Sequence, residues 1–184
     1  MSQVSPQQRL TGLTLDQRWL ALSFDLRLSS LYHTERKRFF NRLHTCLAAM
    51  SAVFGSATVA ALLIDDMPQG KHLAIAFSFV VAVGAALDSA IGFARRANDY
   101  GDLARRFIDL ERAFIAAEAS EEAYARLLAD RRAIEADEPP AIRALVKRCH
   151  RELAQHDGYQ DGENGMPAAL GFWRRHFAQV LPFR

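Results

Sequence analysis

Polar and apolar positions alternate with a helical period along most of the chain, and the pattern is interrupted by two long stretches with no polar stripe. Residues 45–64 contain no charge, and residues 73–94 contain one, Asp88. Each stretch is about 20 residues long, so at 1.5 Å per residue it spans the ~30 Å hydrocarbon core of a bilayer. The short polar connector 65–72, with Asp65, Asp66, Pro68 and Gly70, separates them. A helix partly exposed to water needs a polar face. The pattern therefore predicts a transmembrane helical hairpin with spans 45–64 and 73–94. Two fully buried helices in a soluble bundle are the rival, and a chain of this length has few residues left to cover them on every side.

The flanks predict the remaining elements. Thr14 followed three residues later by Gln17 has the form of a capping box, which starts a helix. From there to His44 the apolar residues Leu20, Phe24, Leu28, Leu31, Phe39, Phe40 and Leu43 fall mostly at helical spacing, with Ser29 and Ser30 as a weak point. After the second span the helix is expected to continue without a break. Leu103, Phe107, Leu110, Phe114 and Ala117 form a heptad-like seam that Tyr124 and Leu128 extend, and the N-terminal helix is its natural partner. Residues 135–138 and Pro139-Pro140 should stop that helix, and another begins near Ala141. The predicted class is all-α, a two-transmembrane helical hairpin continuous with a cytoplasmic helical bundle. The expected division is a loose stretch 1–13, a two-span domain 14–134, and C-terminal helices 135–184.

Charge adds topology. The 184 residues carry 23 Lys and Arg against 21 Asp and Glu, a net charge of +2 that does not argue for nucleic acid. Its distribution is more informative. Arg36, Lys37, Arg38 and Arg42 precede the first span, and Arg95 and Arg96 follow the second, whereas the connector is not basic. The positive-inside rule then places both termini in the cytoplasm, with Lys37, Arg38, Arg42, Arg95 and Arg96 as topology anchors. The same cations could also attract the phosphate of a lipid or nucleotide. Arg-rich, Ala-rich composition points to a GC-rich bacterial or phage genome, hence to the inner membrane of a bacterium. Residues 1–27 show no signal-peptide core with a cleavage site, so the first span is expected to direct the chain to the bilayer.

Within the hairpin, Gly84, Asp88 and Gly92 lie at i, i+4 and i+8 and share one helix face, a candidate pore or helix-packing face. Asp88 has two readings: it faces a pore, or it sits near the headgroups and pairs with Arg95 or Arg96. Ser51 with Gly55 and Ser56 with Ala60 also permit close helix approach. The segment 157–165 resembles half of a calcium loop, but Tyr159 replaces an oxygen ligand and Ala168 stands where the closing Glu belongs, so it is read as a turn. Residues 167–184 should dock on the bundle or lie on the membrane surface. The two cysteines are far apart and the six histidines scattered, with no metal-ligand spacing, phosphate loop or nucleophile elbow. No catalytic residue, metal site or cofactor is expected, and the chain is not read as an enzyme.

The order of elements carries a resemblance. Tyr32-His33 and Arg36 with Phe39-Phe40 lead into the first span, and Phe107, Leu110 and Glu111 lie in the helix after the second. Over roughly residues 20–128 this resembles the SLATT family, two-transmembrane effector domains found beside nucleotide-sensing proteins in bacterial conflict systems. The resemblance implies a homo-oligomeric pore-forming or membrane-disrupting effector in anti-phage defence, in contact with lipid and triggered by a separate nucleotide-sensing or infection-sensing protein. The alternatives are a membrane-anchored adaptor, a phage-encoded exclusion protein, or a soluble helical protein.

Overall fold

The computed structural model describes residues 13–63 and 70–159. Residues 1–12, 64–69 and 160–184 lie outside the described residues, and with them the expected looseness of the start, most of the connector, the calcium-like segment beyond Tyr159 and the docking of residues 167–184. The elements are helices α1 (Leu15–Leu63), α2 (Gly70–Ile91), α3 (Phe93–Ala116), α4 (Glu121–Glu135) and α5 (Arg143–His156). Among the described residues there is no strand, and the all-α class holds. The chain divides into two compact units, Met1–Glu35 with Gly101–Arg184, and Arg36–Tyr100.

The first unit has an ordinary closed core. At its start, the Thr14 backbone N–H donates to Gln17 Oε1 at 3.0 Å and the Gln17 N–H to Thr14 Oγ1 at 3.4 Å, the reciprocal capping expected from the sequence. Leu22 and Leu26 of α1, Phe107 and Leu110 of α3, and Tyr124 and Leu127 of α4 form one buried cluster, against which Trp19 and Phe114 pack. Trp19 stacks on Phe114 at 4.6 Å between ring centroids. Each fully buried Leu or Phe is worth ~1.5–3 kcal/mol. The seam of α3 thus finds the N-terminal helix in the same chain. A second cluster joins Tyr32 of α1 to Leu145 and Cys149 of α5, with Leu28, Leu31, Ile142 and Val146 around it.

Four sequence expectations are corrected here. Leu20 is 70% exposed, because the inward positions of α1 are Leu15, Trp19, Leu22 and Leu26 at spacings of four and three. Ser29 and Ser30 do not weaken α1, since the Ser30 hydroxyl donates to the Arg27 carbonyl at 2.9 Å inside a continuous helix. The helix after the second span does not run to residue 134. It stops at Ala116, and Ser120 caps a new helix by accepting from the Ala123 N–H at 3.1 Å, with Glu121 and Glu122 in its first turn. The Arg106 to Asp137 bridge of 2.6 Å shows that α4 folds back along α3. The fourth correction is a break at Gly92, between α2 and α3.

Ion pairs edge the first unit. Arg18 pairs with Glu121, and Arg27 forks onto both Asp157 carboxylate oxygens at 2.9 and 2.6 Å. Arg131 bridges Asp25 and Glu135, each at 2.7 Å.

Candidate functional site

The second unit is the predicted hairpin, and its register follows from residue pairs. Phe54 meets Phe77 at 5.4 Å, a Cβ built on Gly84 would lie 3.6 Å from Leu47, and His44 Nδ1 lies 3.2 Å from an Asp88 carboxylate oxygen. Phe40 then meets Phe93 at 6.2 Å and Tyr100 at 5.6 Å. Later positions on one side meet earlier ones on the other, so α1 and α2 run antiparallel.

Two of these helices are long and apolar enough to cross a membrane, and the most apolar stretch of each is 0% and 6% buried within the chain. Within the described residues, neither apolar run is buried by the rest of the chain. Val53 and Val59 of α1, and Ile75, Phe79, Val83 and Leu87 of α2, point outward. Together these features suggest a membrane protein.

Asp88 does not pair with Arg95 or Arg96. Its partner is His44 on α1, and Arg96 instead donates from Nε to the Ile91 carbonyl at 3.0 Å, satisfying a group at the end of α2. The sequence held a signal for this pairing. Residue 66, in the connector, is the midpoint of 44 and 88, so an antiparallel hairpin folded there sets them opposite. Of the proposed face, Gly84 and Asp88 both look toward α1. Gly92 ends α2 with φ +65, a left-handed conformation that side chains with a Cβ rarely adopt. Around Gly55, by contrast, a Cβ would meet nothing within 4 Å.

An aromatic box lies just past Gly92, at the end of the hairpin away from the connector. Arg36 is 6% exposed, with its guanidinium 4.6 Å from the Phe40 ring, 5.0 Å from Tyr100 and 5.9 Å from Phe39, and Arg36 Nη2 donates to the Tyr100 hydroxyl at 3.4 Å. A buried cation between aromatic faces gains ~0.5–2 kcal/mol per good contact. Lys37, Arg38, Arg42, Arg95 and Arg96 stay exposed.

Tyr32 and His33 belong to the first unit. His33, 1% exposed, stacks on Phe107 at 5.4 Å, takes the Tyr32 ring edge-on at 5.1 Å, and hydrogen-bonds Glu138 Oε1 at 3.0 Å. The Tyr32 hydroxyl accepts from the Ile142 N–H at 3.1 Å, at the start of α5, whose N-cap residue makes no side-chain cap of its own. Tyr32 and His33 thus fasten the Pro139-Pro140 segment to α1. Leu110 is buried in the core of this unit and Glu111 is half-buried. Glu138 and Tyr100 were not singled out in the sequence, because a single Glu beside two prolines and a single Tyr after the second span carry no pattern of their own.

Two protonation shifts in the first unit have plain causes. Burial, reinforced by Glu152 and Glu35, pushes the Cys149 thiol up to about 12. The Arg27 fork holds the Asp157 carboxyl below its usual range. Among the described residues no group of three His, Cys, Asp or Glu side chains is placed to hold a metal.

No family model, curated protein or solved structure matches the chain.

Proposed function

We propose that the protein crosses the bacterial inner membrane twice with both termini in the cytoplasm, and that several copies assemble there into a pore or a membrane-disrupting complex. The observation that carries this reading is the apolar exterior of both hairpin helices, where Val53, Phe79, Val83 and Leu87 are exposed. Lipid and neighbouring copies are the partners that cover such a surface without cost. Two spans are too few to surround a water-filled path, so a pore needs several subunits. The cations at residues 36–42 and 95–96, set against a connector that is not basic, support the orientation. The role in anti-phage conflict, with a separate infection-sensing trigger, rests on the SLATT resemblance of Tyr32, His33, Arg36, Phe39, Phe40, Phe107, Leu110 and Glu111.

The test is the mass of the full chain extracted in detergent, by light scattering that subtracts the detergent. A closed ring of four or more copies, followed by conductance in planar bilayers, is the expected result. A monomer that passes no current under any condition contradicts the pore.

One observation favours a second reading, a membrane-anchored adaptor. The ionisable side chain of the second span, Asp88, is bonded to His44 of the same chain, which leaves the hairpin well suited to be a plain anchor. Replacing residues 45–94 by an unrelated hairpin preserves function in an adaptor and abolishes it in a pore.

A further inference from the structure

The hairpin end away from the connector combines three features. Lys37, Arg38 and Arg42 of α1 and Arg95 and Arg96 of α3 are exposed there. The contacts of Phe40 with Phe93 and Tyr100, and of Arg36 with Tyr100, set these two groups of cations at one level. Toward the connector the surface turns apolar within about two helical turns, at Met50, Leu87 and Ile91. Within this unit the acids near this level are Asp88, already bonded to His44, and Asp99, which is exposed. Within the unit, cations therefore exceed acids at this level.

We infer that this collar binds the phosphate headgroups of anionic phospholipids. The inference rests on the membrane reading above and deepens it. Like charges gathered at one level repel one another, and a bound anion offsets that repulsion. Four of the five are Arg, whose planar fork matches phosphate oxygens bidentately. The adjoining apolar surface gives the acyl chains of a lipid a place to lie, which free phosphate cannot use, so lipid is the source. The collar therefore does more than set orientation: it selects among lipids.

The test uses the full chain in detergent micelles, titrated with phosphatidylglycerol, with phosphatidylcholine, or with inorganic phosphate, while thermal unfolding is followed. A ligand that binds the folded state raises the midpoint by mass action. Phosphatidylglycerol should raise it well beyond the other two, and the effect should fade near 1 M salt, where the screening length is ~3 Å. Combining Lys37→Gln, Arg42→Gln and Arg95→Gln should weaken phosphatidylglycerol binding by roughly tenfold or more. Removing the same charge through Arg126→Gln, Arg143→Gln and Lys147→Gln should leave it unchanged. Equal shifts from both lipids, an equal shift from inorganic phosphate, insensitivity to salt, or an equal loss in the second variant overturns the collar. Failure of the membrane reading shows separately, as wild-type chain recovered from a detergent-free supernatant.

Discussion

The two units of this chain bury their apolar residues in opposite ways. In the first, Leu26 and Phe107 are 0% exposed and charged side chains such as Arg27 and Arg131 are paired at the edge. In the second, Phe79 is 69% exposed and Val53 65%, while the most buried large side chains are Arg36 and its aromatic neighbours near the charged end. One unit is built for water. The other exposes apolar surface that water would penalise at about 25 cal/mol per Å². The same amino-acid alphabet gives both because helix α1 changes character along its length, from a one-sided seam to an apolar cylinder.

Substitution of Phe107 by Ala should give the largest effect, a loss of ~3–5 kcal/mol measured by denaturant unfolding of the full chain in detergent. Phe79→Ala, removing the same ring from the hairpin exterior, should leave that transition in place. If the two cost the same, the contrast between the units is wrong. A charge sharpens the contrast next. Phe79→Asp should cost ~2.5–3.5 kcal/mol of insertion and shift the chain out of the membrane fraction, an outcome opposite to that of adding an acid to a soluble surface.

Smaller effects separate the glycines. Gly92→Ala forces a Cβ onto a left-handed residue and should cost ~1–2 kcal/mol. Gly84→Ala places its methyl at an ordinary 3.6 Å from Leu47 and should change the thermal midpoint little. The reverse order would mean that Gly84, not Gly92, is the constrained position.

The first unit should also show two titrations. Cys149 ionises near 9.0 when unfolded and near 12 when folded, so stability is full below pH 9 and falls as pH rises from there toward 12. An alkylating reagent at neutral pH should leave Cys149 unmodified until the chain is denatured. For Asp157 the sign is opposite. Its folded value is lowered by Arg27, so the contribution is present above the ordinary 3.8 and is lost as pH falls below it. That acid-side loss should be small, since Arg27 and Asp157 are partly exposed and solvent screens them. Arg27→Gln should abolish it.

Much of this architecture was legible in the chain. The absence of a polar stripe in 45–64 and 73–94 marked the hairpin, the spacing of Leu103, Phe107, Leu110 and Phe114 marked the bundle seam, and Thr14 with Gln17 marked the start of α1. What was missed depends on partners from distant sequence. His44 matters because the fold sets it opposite Asp88, and Arg96 because it reaches back to the Ile91 carbonyl rather than to a carboxylate. The break before α4 was hidden because apolar spacing continues through Phe114, Ala117 and Tyr124, although Ser120-Glu121-Glu122 already carried a capping signal. Periodicity reports which side of a helix is apolar, not where the helix ends.

The central claim is that the hairpin lies in a bilayer, and alkaline carbonate extraction of membranes containing the full chain tests it most directly. Retention of the protein in the membrane pellet is the predicted result, and its release into the high-speed supernatant would contradict the account.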